Sequence, residues 1–426
     1  MNSSVVVLFV AFLILLVLSV PIAISVGLSS AVMVFQDKIP FEVIVQRMFT
    51  SIDSFPLLAV LFFILAGNLM ERGGISRRLI DLAYAFIGSR TGGLGMVTIL
   101  SSMLFSSISG SGPATTAAIG SIMIPSMVKK GYDVRFAAAT QAAAGELGVI
   151  IPPSLTMVLF GIATGVSIGD LFIAGIIPGL LIGFSLMLVM YIISKKRGYL
   201  GEEKLTWPER FAAFKRAILP LLMPLIILGG IYGGIFTPTE AAVVASVYAL
   251  ILGALVYREL KWKDLIRVFY ESAIMSAVIL IVISAAGLFS WVLTYNGVPQ
   301  MVAQFFAGIS DNPIVFLLLI NLFLFIVGMF FDSGAAIIIL APILTPAAVS
   351  LGIDPVHFGV IMIVNLAMGM ITPPIGVNLF VVCQIAKINL ESLIRPLLWY
   401  VGMVVVDILI ISYVPELSLW LPQLLK

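Results

Sequence analysis

Charged residues are what this sequence has least of. Only 10% of the 426 residues are Asp, Glu, Lys or Arg, while 61% are hydrophobic. Soluble domains are about a quarter charged and about half apolar, so a charge content this low excludes a water-soluble fold. The mean hydropathy of +1.19 therefore predicts an all-α polytopic membrane protein. The formal net charge of +2 is too small to indicate a nucleic-acid partner.

Cysteine and histidine are almost missing. Cys383 is the only cysteine, which excludes an intramolecular disulfide framework. His357 is the only histidine, so we expect an interfacial position after Pro355 rather than a metal or proton-relay role. The sequence contains no zinc signature, nucleotide-binding glycine loop or nucleophile elbow. We therefore expect neither an enzyme nor a bound cofactor.

Long polar stretches are also rare. The one long polar linker, 195–216, lies in SKKRGYLGEEKLTWPERFAAFKR, where seven basic residues outnumber three acidic ones, which predicts a cytoplasmic location. It separates a first unit, 1–194, from a second, 217–426. Apolar runs fill both units and predict ten to twelve crossings. The segment MNSSVVVLFVAFLILLVLSV is interpreted as the first spanning helix rather than a cleaved signal, and the apolar run that contains it extends from Val5 to Phe35 with a kink expected at Pro21.

An internal repeat links the two units. A shift of 221 residues superimposes uncommon residue types in both halves. The matched pairs are Pro125 and Pro346, Gly131 and Gly352, Asp133 and Asp354, Gly148 and Gly369, Pro152 and Pro373, and Pro153 and Pro374. Because these are mostly helix breakers rather than generic apolar residues, the repeat indicates a duplicated fold with paired interruptions.

The paired interruptions predict non-helical backbone inside the membrane. The segments GVIIPP and GMITPP cannot continue as regular helices, since an interior proline removes a donor and clashes with the preceding turn. Such backbone is tolerated only inside protein or against a cavity. We predict a re-entrant hairpin at about 105–130 with a broken helix at about 136–168, and a second pair at about 330–352 and 358–386. Simple proline kinks and small-residue helix packing are the alternatives.

Two carboxylates fall within apolar segments. A carboxylate there is costly and usually faces a cavity, an ion or a partner, although hydration at the headgroup level is an alternative. Asp332, in FFDSG, favours the functional interpretation. Glu146 poses the same choice, but its counterpart in the repeat is Ala367. Asp133 and Asp354 are expected to be helix caps.

These motifs resemble a known family. SGSGPATTAAIG, GELGVIIPPS, GGIFTPTEAA, FFDSGAAIIILAPIL and GMITPPIGVNLF are similar to the large membrane subunit of tripartite ATP-independent periplasmic (TRAP) transporters, the DctM-like family, over essentially the whole chain. The resemblance implies two inverted repeats, a scaffold and an elevator-type transport domain in the bacterial inner membrane. It implies Na⁺ as coupling ion, a small four-helix DctQ-like subunit and a periplasmic DctP-like binding protein that delivers an organic acid.

The resemblance also implies where Na⁺ and substrate bind. Each Na⁺ site would combine a hairpin tip with the following helix break. The first site would comprise Ser109, Ser111, Gly148, Ile151 and Pro153, and the second Asp332, Ser333, Gly334, Gly369, Thr372 and Pro374. Substrate contacts would come from Ser154, Thr156 and Asn378.

Other functions stay open on the sequence alone. A self-sufficient Na⁺/dicarboxylate symporter of the same superfamily would need no partner subunits. A channel or scaffold would use the same motifs for packing. Among the family's usual substrates, C4-dicarboxylates and sialic-acid-type sugar acids, we lean towards the sugar acids, although no residue decides between them.

Overall fold

The structure, a computed structural model, describes residues 3–309 and 312–425. The described residues are helical and contain no strand. In chain order the helices are α1 (Ser3–Val17), α2 (Ile22–Gln36), α3 (Glu42–Ile52), α4 (Leu57–Arg72), α5 (Ile75–Ile87), α6 (Gly93–Ser109), α7 (Gly112–Lys129), α8 (Val134–Ile150), α9 (Leu155–Thr164), α10 (Ile168–Ala174), α11 (Ile176–Arg197), α12 (Trp207–Tyr232), α13 (Pro238–Leu250) with a following π-helical turn (Ile251–Val256), α14 (Trp262–Tyr295), α15 (Val298–Ile309), α16 (Pro313–Phe330), α17 (Ser333–Ser350), α18 (Pro355–Gly369), α19 (Val377–Ala386), α20 (Leu390–Tyr413) and α21 (Glu416–Leu425).

Fewer helices than predicted are long enough to cross a bilayer. By length and composition, eight spans are found in the described residues, or nine if α3 and α4, bent by 53°, form one broken span. The sequence predicts ten to twelve crossings. The remaining apolar runs, such as α6 and α18, form helices of 10–17 residues, shorter than the about 20 residues that a straight crossing takes.

The first apolar run is a helical hairpin rather than one kinked helix. The chain turns between α1 and α2, where Ser19 has a φ of 61°. The Ser4 hydroxyl donates to Asp37 Oδ1 at 2.6 Å, so the start of α1 lies beside the end of α2. The predicted kink at Pro21 is wrong, because the backbone reverses completely just before this proline.

The repeat predicted from the sequence has matching local structure in both units. Asp133 caps α8 and Asp354 caps α18, each accepting from the amide two residues further on at 2.8 Å. Gly131 and Gly352 precede these caps with φ values of 86° and 79°. Only glycine adopts such values without strain. The cap assignment is confirmed, and the same turn chemistry ends both hairpins.

A helical hairpin precedes each interruption in the chain. Hairpin 1 consists of α6 and α7, and hairpin 2 of α16 and α17. The base of hairpin 1 is held by Gly92, whose amide donates to the Tyr199 carbonyl at 3.0 Å. The base of hairpin 2 lies beside the end of α20, where the Tyr413 hydroxyl donates to the Ile314 carbonyl at 3.1 Å. The first helix of each hairpin is longer than predicted, because α6 begins at Gly93 and α16 begins at Pro313.

The two hairpin bases lie towards opposite ends of the fold. Helices α11 and α20 pack antiparallel: the Lys196 ammonium lies 6.0 Å from the Trp399 ring, and Ser185, earlier in α11, donates to Asp407, later in α20. Tyr199 follows the end of α11 and Tyr413 ends α20. The base of hairpin 1 therefore lies at the end of the fold where the polar linker begins, and the base of hairpin 2 lies at the opposite end.

The polar linker is shorter than predicted and is fastened to hairpin 1. Only 198–206 is non-helical, because α11 and α12 extend into the predicted 195–216 segment. Tyr199 stacks on Tyr132 with ring centroids 4.1 Å apart, and Lys130 Nζ contacts Glu202 Oε2 at 2.6 Å. This hydrogen bond and the Glu202 charge raise the pKa of the exposed Lys130. The start of the linker therefore packs with the hairpin base.

His357 is packed inside the protein. Its side chain is 2% exposed, and Nε2 lies 3.3 Å from the Ser412 carbonyl oxygen. Asn321 donates to the Ser412 hydroxyl at 3.0 Å, which extends the same polar network into hairpin 2. The first turn of α18 is therefore buried against α16 and the end of α20. The interfacial depth of His357 stays a prediction.

Candidate functional site

The tip of hairpin 1 is built from serine and glycine. Helix α6 ends at Ser109, Gly110 reverses the chain with a φ of 62°, and Ser111 caps α7 by accepting from the Ala114 amide at 3.4 Å. Ser109 is buried, and its hydroxyl lies 2.9 Å from the hydroxyl of Thr115. Three oxygen-bearing side chains therefore meet at this turn.

The tip of hairpin 2 uses a carboxylate for the same cap. Asp332 Oδ2 accepts from the amides of Gly334 at 2.9 Å and Ala335 at 3.4 Å. Asp332 stands 221 residues after Ser111, so the repeat places a cap at the equivalent position. The Asp332 carboxylate is thus hydrogen-bonded to the backbone of α17. Its side chain is nevertheless exposed, so the carboxylate can still meet a ligand.

The first helix break removes the helical donors of two carbonyls, and side chains replace the donor of one of them. Helix α8 ends at Ile150 and α9 begins at Leu155. Because prolines 152 and 153 have no N–H group, the carbonyls of Gly148 and Val149 lose their usual partners. The hydroxyls of Ser154 and Thr156 both donate to Val149, at 2.6 and 2.9 Å. No side chain does the same for Gly148 among the described residues.

At the second break, backbone amides as well as a side chain donate hydrogen bonds to the carbonyls. Helix α18 ends at Gly369 and α19 begins at Val377. The Thr372 amide donates to the Gly369 carbonyl at 3.1 Å, and the Asn378 amide to the Met370 carbonyl at 3.1 Å. The Thr372 hydroxyl donates to the Met368 carbonyl at 2.8 Å. The carbonyls of Met368, Gly369 and Met370 therefore all accept hydrogen bonds from residues within or just after the break.

Glycine allows each tip to touch its own break. A methyl group on Gly148 would overlap the Ser111 carbonyl oxygen and lie 2.8 Å from the Gly112 amide. A methyl group on Gly369 would overlap the Gly328 backbone in hairpin 2. The Ser333 hydroxyl adds a bond to the Leu366 carbonyl at 3.2 Å. Ser111 at the first tip therefore contacts Gly148 of its break, and Ser333 at the second tip contacts Leu366 just before its break. We call these contact regions the first and second clusters.

Each break also contacts the opposite hairpin. A methyl group on Gly112, in hairpin 1, would lie 3.0 Å from the Met370 side chain of the second break. One on Gly334, in hairpin 2, would lie 3.1 Å from Leu159 in α9. The two tips and the two breaks therefore converge on one region.

One cavity of about 520 Å³ lies where these elements meet. Hairpin 1 contributes Ser111 and Pro113, and hairpin 2 contributes Asp332 and Ser333. The opposite wall comes from the start of α2 and from α14 between Met275 and Val282. No Lys, Arg or His is among its described lining residues, so Asp332 is the lining group with a formal charge.

The predicted site residues divide into those that line the cavity and those that do not. The lining contains Ser111, Thr156, Asp332, Ser333 and Gly334. The residues outside the lining are Ser109, Gly148, Ile151, Pro153, Ser154, Gly369, Thr372, Pro374 and Asn378. The Asn378 side chain is fully buried and donates to the Ala142 carbonyl at 3.4 Å, so it faces α8. Of the three residues implied for substrate binding, the structure brings only Thr156 to the cavity.

Sequence reasoning missed the inner supports of hairpin 1. Thr115 contacts Ser109, and Gln141 of α8 donates to the Thr115 carbonyl at 3.3 Å. Both residues are fully buried. The signal available in the sequence was the pair of threonine hydroxyls in ATTAA, which small-residue packing also explains. The wall formed by α2 and α14 carried no motif at all.

Glu146 is enclosed rather than hydrated. Its side chain is fully buried in α8, and neither carboxylate oxygen has a hydrogen-bond partner within the described residues. The negative charge of Asp407, in α20, repels a negative charge on Glu146. Glu146 does not line the cavity.

Comparison with known proteins identifies the chain's relatives. The isethionate TRAP transporter permease protein DctMQ of Oleidesulfovibrio alaskensis is 47% identical over 97% of this chain, which spans 66% of that protein. The C4-dicarboxylate TRAP transporter large permease protein DctM of Vibrio cholerae is 39% identical over 99% of this chain and 98% of its own length. The sialic acid TRAP transporter large permease protein SiaM of Vibrio cholerae is 43% identical over 89% of both chains.

Similarity to solved structures and to a family model completes the assignment. The YdaH transporter of Alcanivorax borkumensis shares the fold with a TM-score of 0.65 at 17% identity, over 90% of this chain and 88% of its own. The family model for the DctM component of tripartite ATP-independent periplasmic transporters matches residues 9–417. This chain belongs to the DctM family, the large permease components of TRAP transporters.

Proposed function

We propose that this chain is the large permease subunit of a Na⁺-coupled, binding-protein-dependent importer of small organic anions. The observation that carries the proposal is the convergence of two hairpin tips and two proline breaks on one cavity. Membrane transporters place substrate and coupling ions where discontinuous helices of two repeats meet. No step of this function needs a catalytic group or a cofactor.

The chemistry of the two clusters suits Na⁺. Na⁺ prefers hard oxygen ligands, and broken helices supply them as carbonyl groups. In the first cluster the Gly148 carbonyl and the hydroxyls of Ser109 and Ser111 are the candidate donors, with the Ile151 and Pro153 carbonyls beside them. In the second, the Asp332 carboxylate and the Ser333 hydroxyl join the backbone of Gly334, Gly369, Thr372 and Pro374. These residues would hold one ion at each tip.

The cavity suits a small anion bound by helix ends. Helices α7, α9 and α17 all begin at its wall, and the positive dipole end of a helix favours a carboxylate or a sulfonate. Relatives named for isethionate, C4-dicarboxylates and sialic acid support the class of organic anions. Because the most similar of these three is named for isethionate, we add small sulfonates to the carboxylates and sugar acids expected from the sequence.

An inverted, two-part architecture fits the positions of the hairpin bases. Hairpins 1 and 2 open towards opposite ends of the α11–α20 pair, as repeats of inverted topology require. We propose that the hairpins and broken helices form a transport domain that moves, elevator-fashion, against a scaffold that includes α2 and α14. A DctQ-like subunit and a DctP-like binding protein complete the transporter in the bacterial inner membrane.

Uptake into proteoliposomes tests the proposal. We expect an inward Na⁺ gradient to drive accumulation of an organic anion only when this chain is reconstituted with its small subunit and binding protein. The panel comprises isethionate, succinate, malate and N-acetylneuraminate. Replacing the Na⁺ gradient with K⁺ is expected to abolish accumulation.

The other functions predict different results in the same assay. Gradient-driven uptake by this chain alone would identify a self-sufficient symporter. Passive flux that ignores Na⁺ would identify a channel, and no flux with any partner or anion would favour a scaffold. Any of these three outcomes contradicts the proposed function.

Cysteine labelling tests the inverted arrangement. In a Cys383→Ser background, we expect Lys130→Cys, at the base of hairpin 1, to react with an impermeant maleimide only from the cytoplasmic side. Ser350→Cys, at the base of hairpin 2, should react only from the periplasmic side; both positions are exposed. Ala335→Cys, on the cavity wall, should react from either side in proportions that Na⁺ and substrate change. Labelling of both base positions from one side would refute the inversion.

A further inference from the structure

A buried hydroxyl pair lies inside hairpin 1. Ser109 Oγ and Thr115 Oγ1 are 2.9 Å apart, with side chains 3% and 0% exposed. The Ser111 amide points at Ser109 Oγ from 3.5 Å, which is beyond the usual N–H···O range and leaves that oxygen largely free on one side. Thr115 is therefore the close hydrogen-bond partner of the Ser109 hydroxyl.

The direction of this bond matters for a cation. A hydroxyl has one hydrogen and two lone pairs. If Ser109 presents a lone pair to Na⁺, its hydrogen must point away from the ion and find another acceptor. Thr115 Oγ1 offers that acceptor. Without it, Ser109 loses the one hydroxyl recorded beside it, and its hydrogen is free to turn towards the ion.

A third helix fixes Thr115 in place. Gln141 of α8 donates from Nε2 to the Thr115 carbonyl at 3.3 Å and lies 3.5 Å from the Ser102 hydroxyl. Gln141 is fully buried. Helices α6, α7 and α8 are thus joined at one point beneath the tip, so Thr115 cannot withdraw from Ser109 without breaking a second contact.

The pair has no counterpart in hairpin 2. The residues 221 positions after Ser109 and Thr115 are Phe330 and Ala336. In hairpin 2 the Ser333 hydroxyl instead donates to the Leu366 carbonyl. The hydroxyl pair therefore belongs to the first cluster alone and is not a general requirement for hairpin packing.

We propose that Thr115 is a positioning residue for the first Na⁺ site, holding the Ser109 hydroxyl with a lone pair towards the ion. This inference rests on the proposed function. It assigns Thr115 an effect on Na⁺ affinity through Ser109 and no contact with substrate.

Thr115→Val tests the inference, because valine keeps the shape and removes the hydroxyl. We expect the half-saturating Na⁺ concentration for uptake to rise about tenfold, equivalent to ~1.4 kcal/mol, with the maximal rate within about twofold of wild type. Thr115→Ser should restore the wild-type value. Thr115→Ala should behave as the valine variant does and covers the case in which valine prevents folding.

Thr116→Val is the matched control. Thr116 is the next residue of α7, equally buried, and its hydroxyl donates only within the helix, to the Gly112 carbonyl at 2.9 Å. We expect it to leave the Na⁺ dependence unchanged. Adding Thr115→Val to Ser109→Ala should cost nothing further, as expected for two residues that act as a unit.

The outcomes separate this inference from the proposed function. Uptake by wild type that ignores Na⁺ would defeat the proposed function. Na⁺-dependent wild type with an unchanged half-saturating concentration in Thr115→Val and Thr115→Ala would defeat the inference alone. Equal shifts in Thr115→Val and Thr116→Val would show a packing effect and would also overturn it.

Discussion

Asp332→Asn is expected to lose most Na⁺-driven uptake while the protein stays folded. Asparagine caps helices about as well as aspartate, so the bonds to the Gly334 and Ala335 amides can be kept. What is lost is the charged lining group of the cavity. An interaction of a charged group at the ion is worth about 2 kcal/mol, which corresponds to a fall of about 30-fold in uptake at low Na⁺. The measurement is initial uptake rate against Na⁺ concentration.

Asp354 provides the control for this substitution. It caps α18 through the Val356 amide at 2.8 Å and the His357 amide at 3.2 Å, in the same manner as Asp332, but lies outside the cavity. We expect Asp354→Asn to transport normally and Asp354→Ala to lose about 1 kcal/mol of helix stability. Wild-type Na⁺ dependence in Asp332→Asn would show that the carboxylate serves only as a cap. Asp332→Ala should lose both uptake and the cap.

Gly148→Ala and Gly369→Ala are each expected to reduce uptake about tenfold or more. The added methyl group would overlap backbone atoms, of Ser111 in the first case and Gly328 in the second. Backbone cannot rotate away as a side chain can, so the hairpin tip must separate from its break. Overpacking of this kind costs about 1–3 kcal/mol. The expected loss is in Na⁺ affinity as well as rate, measured by uptake at graded Na⁺ concentrations.

Gly402→Ala controls for the chemistry of the substitution. Gly402 lies in α20, and a methyl group there would meet no atom within 4 Å. We expect wild-type uptake and unchanged expression in membranes. If Gly148→Ala and Gly369→Ala also transported normally, close contact between tip and break would be unnecessary for function, which would contradict the assignment of these clusters as ion sites.

The sequence by itself determined that the protein lies in a membrane, that its fold is helical and where its helices are interrupted. Scarce charge leaves a membrane protein as the only fold that avoids exposing apolar surface to water, and a proline without an N–H group interrupts a helix whatever surrounds it. The pairs Pro152–Pro153 and Pro373–Pro374 therefore marked both breaks correctly, and Asp133 and Asp354 marked two caps. These are local effects of backbone chemistry.

Only the tertiary structure decided what those interruptions face. Hydropathy could not tell that Val5 to Phe35 folds back on itself or that His357 is buried, because an apolar run has the same composition against lipid and against protein. Likewise, the partners of Asp332 and Ser109 depend on which helix packs beside each tip. Thr115 and Gln141 are 26 residues apart in the chain, and they meet only because α7 and α8 pack against each other.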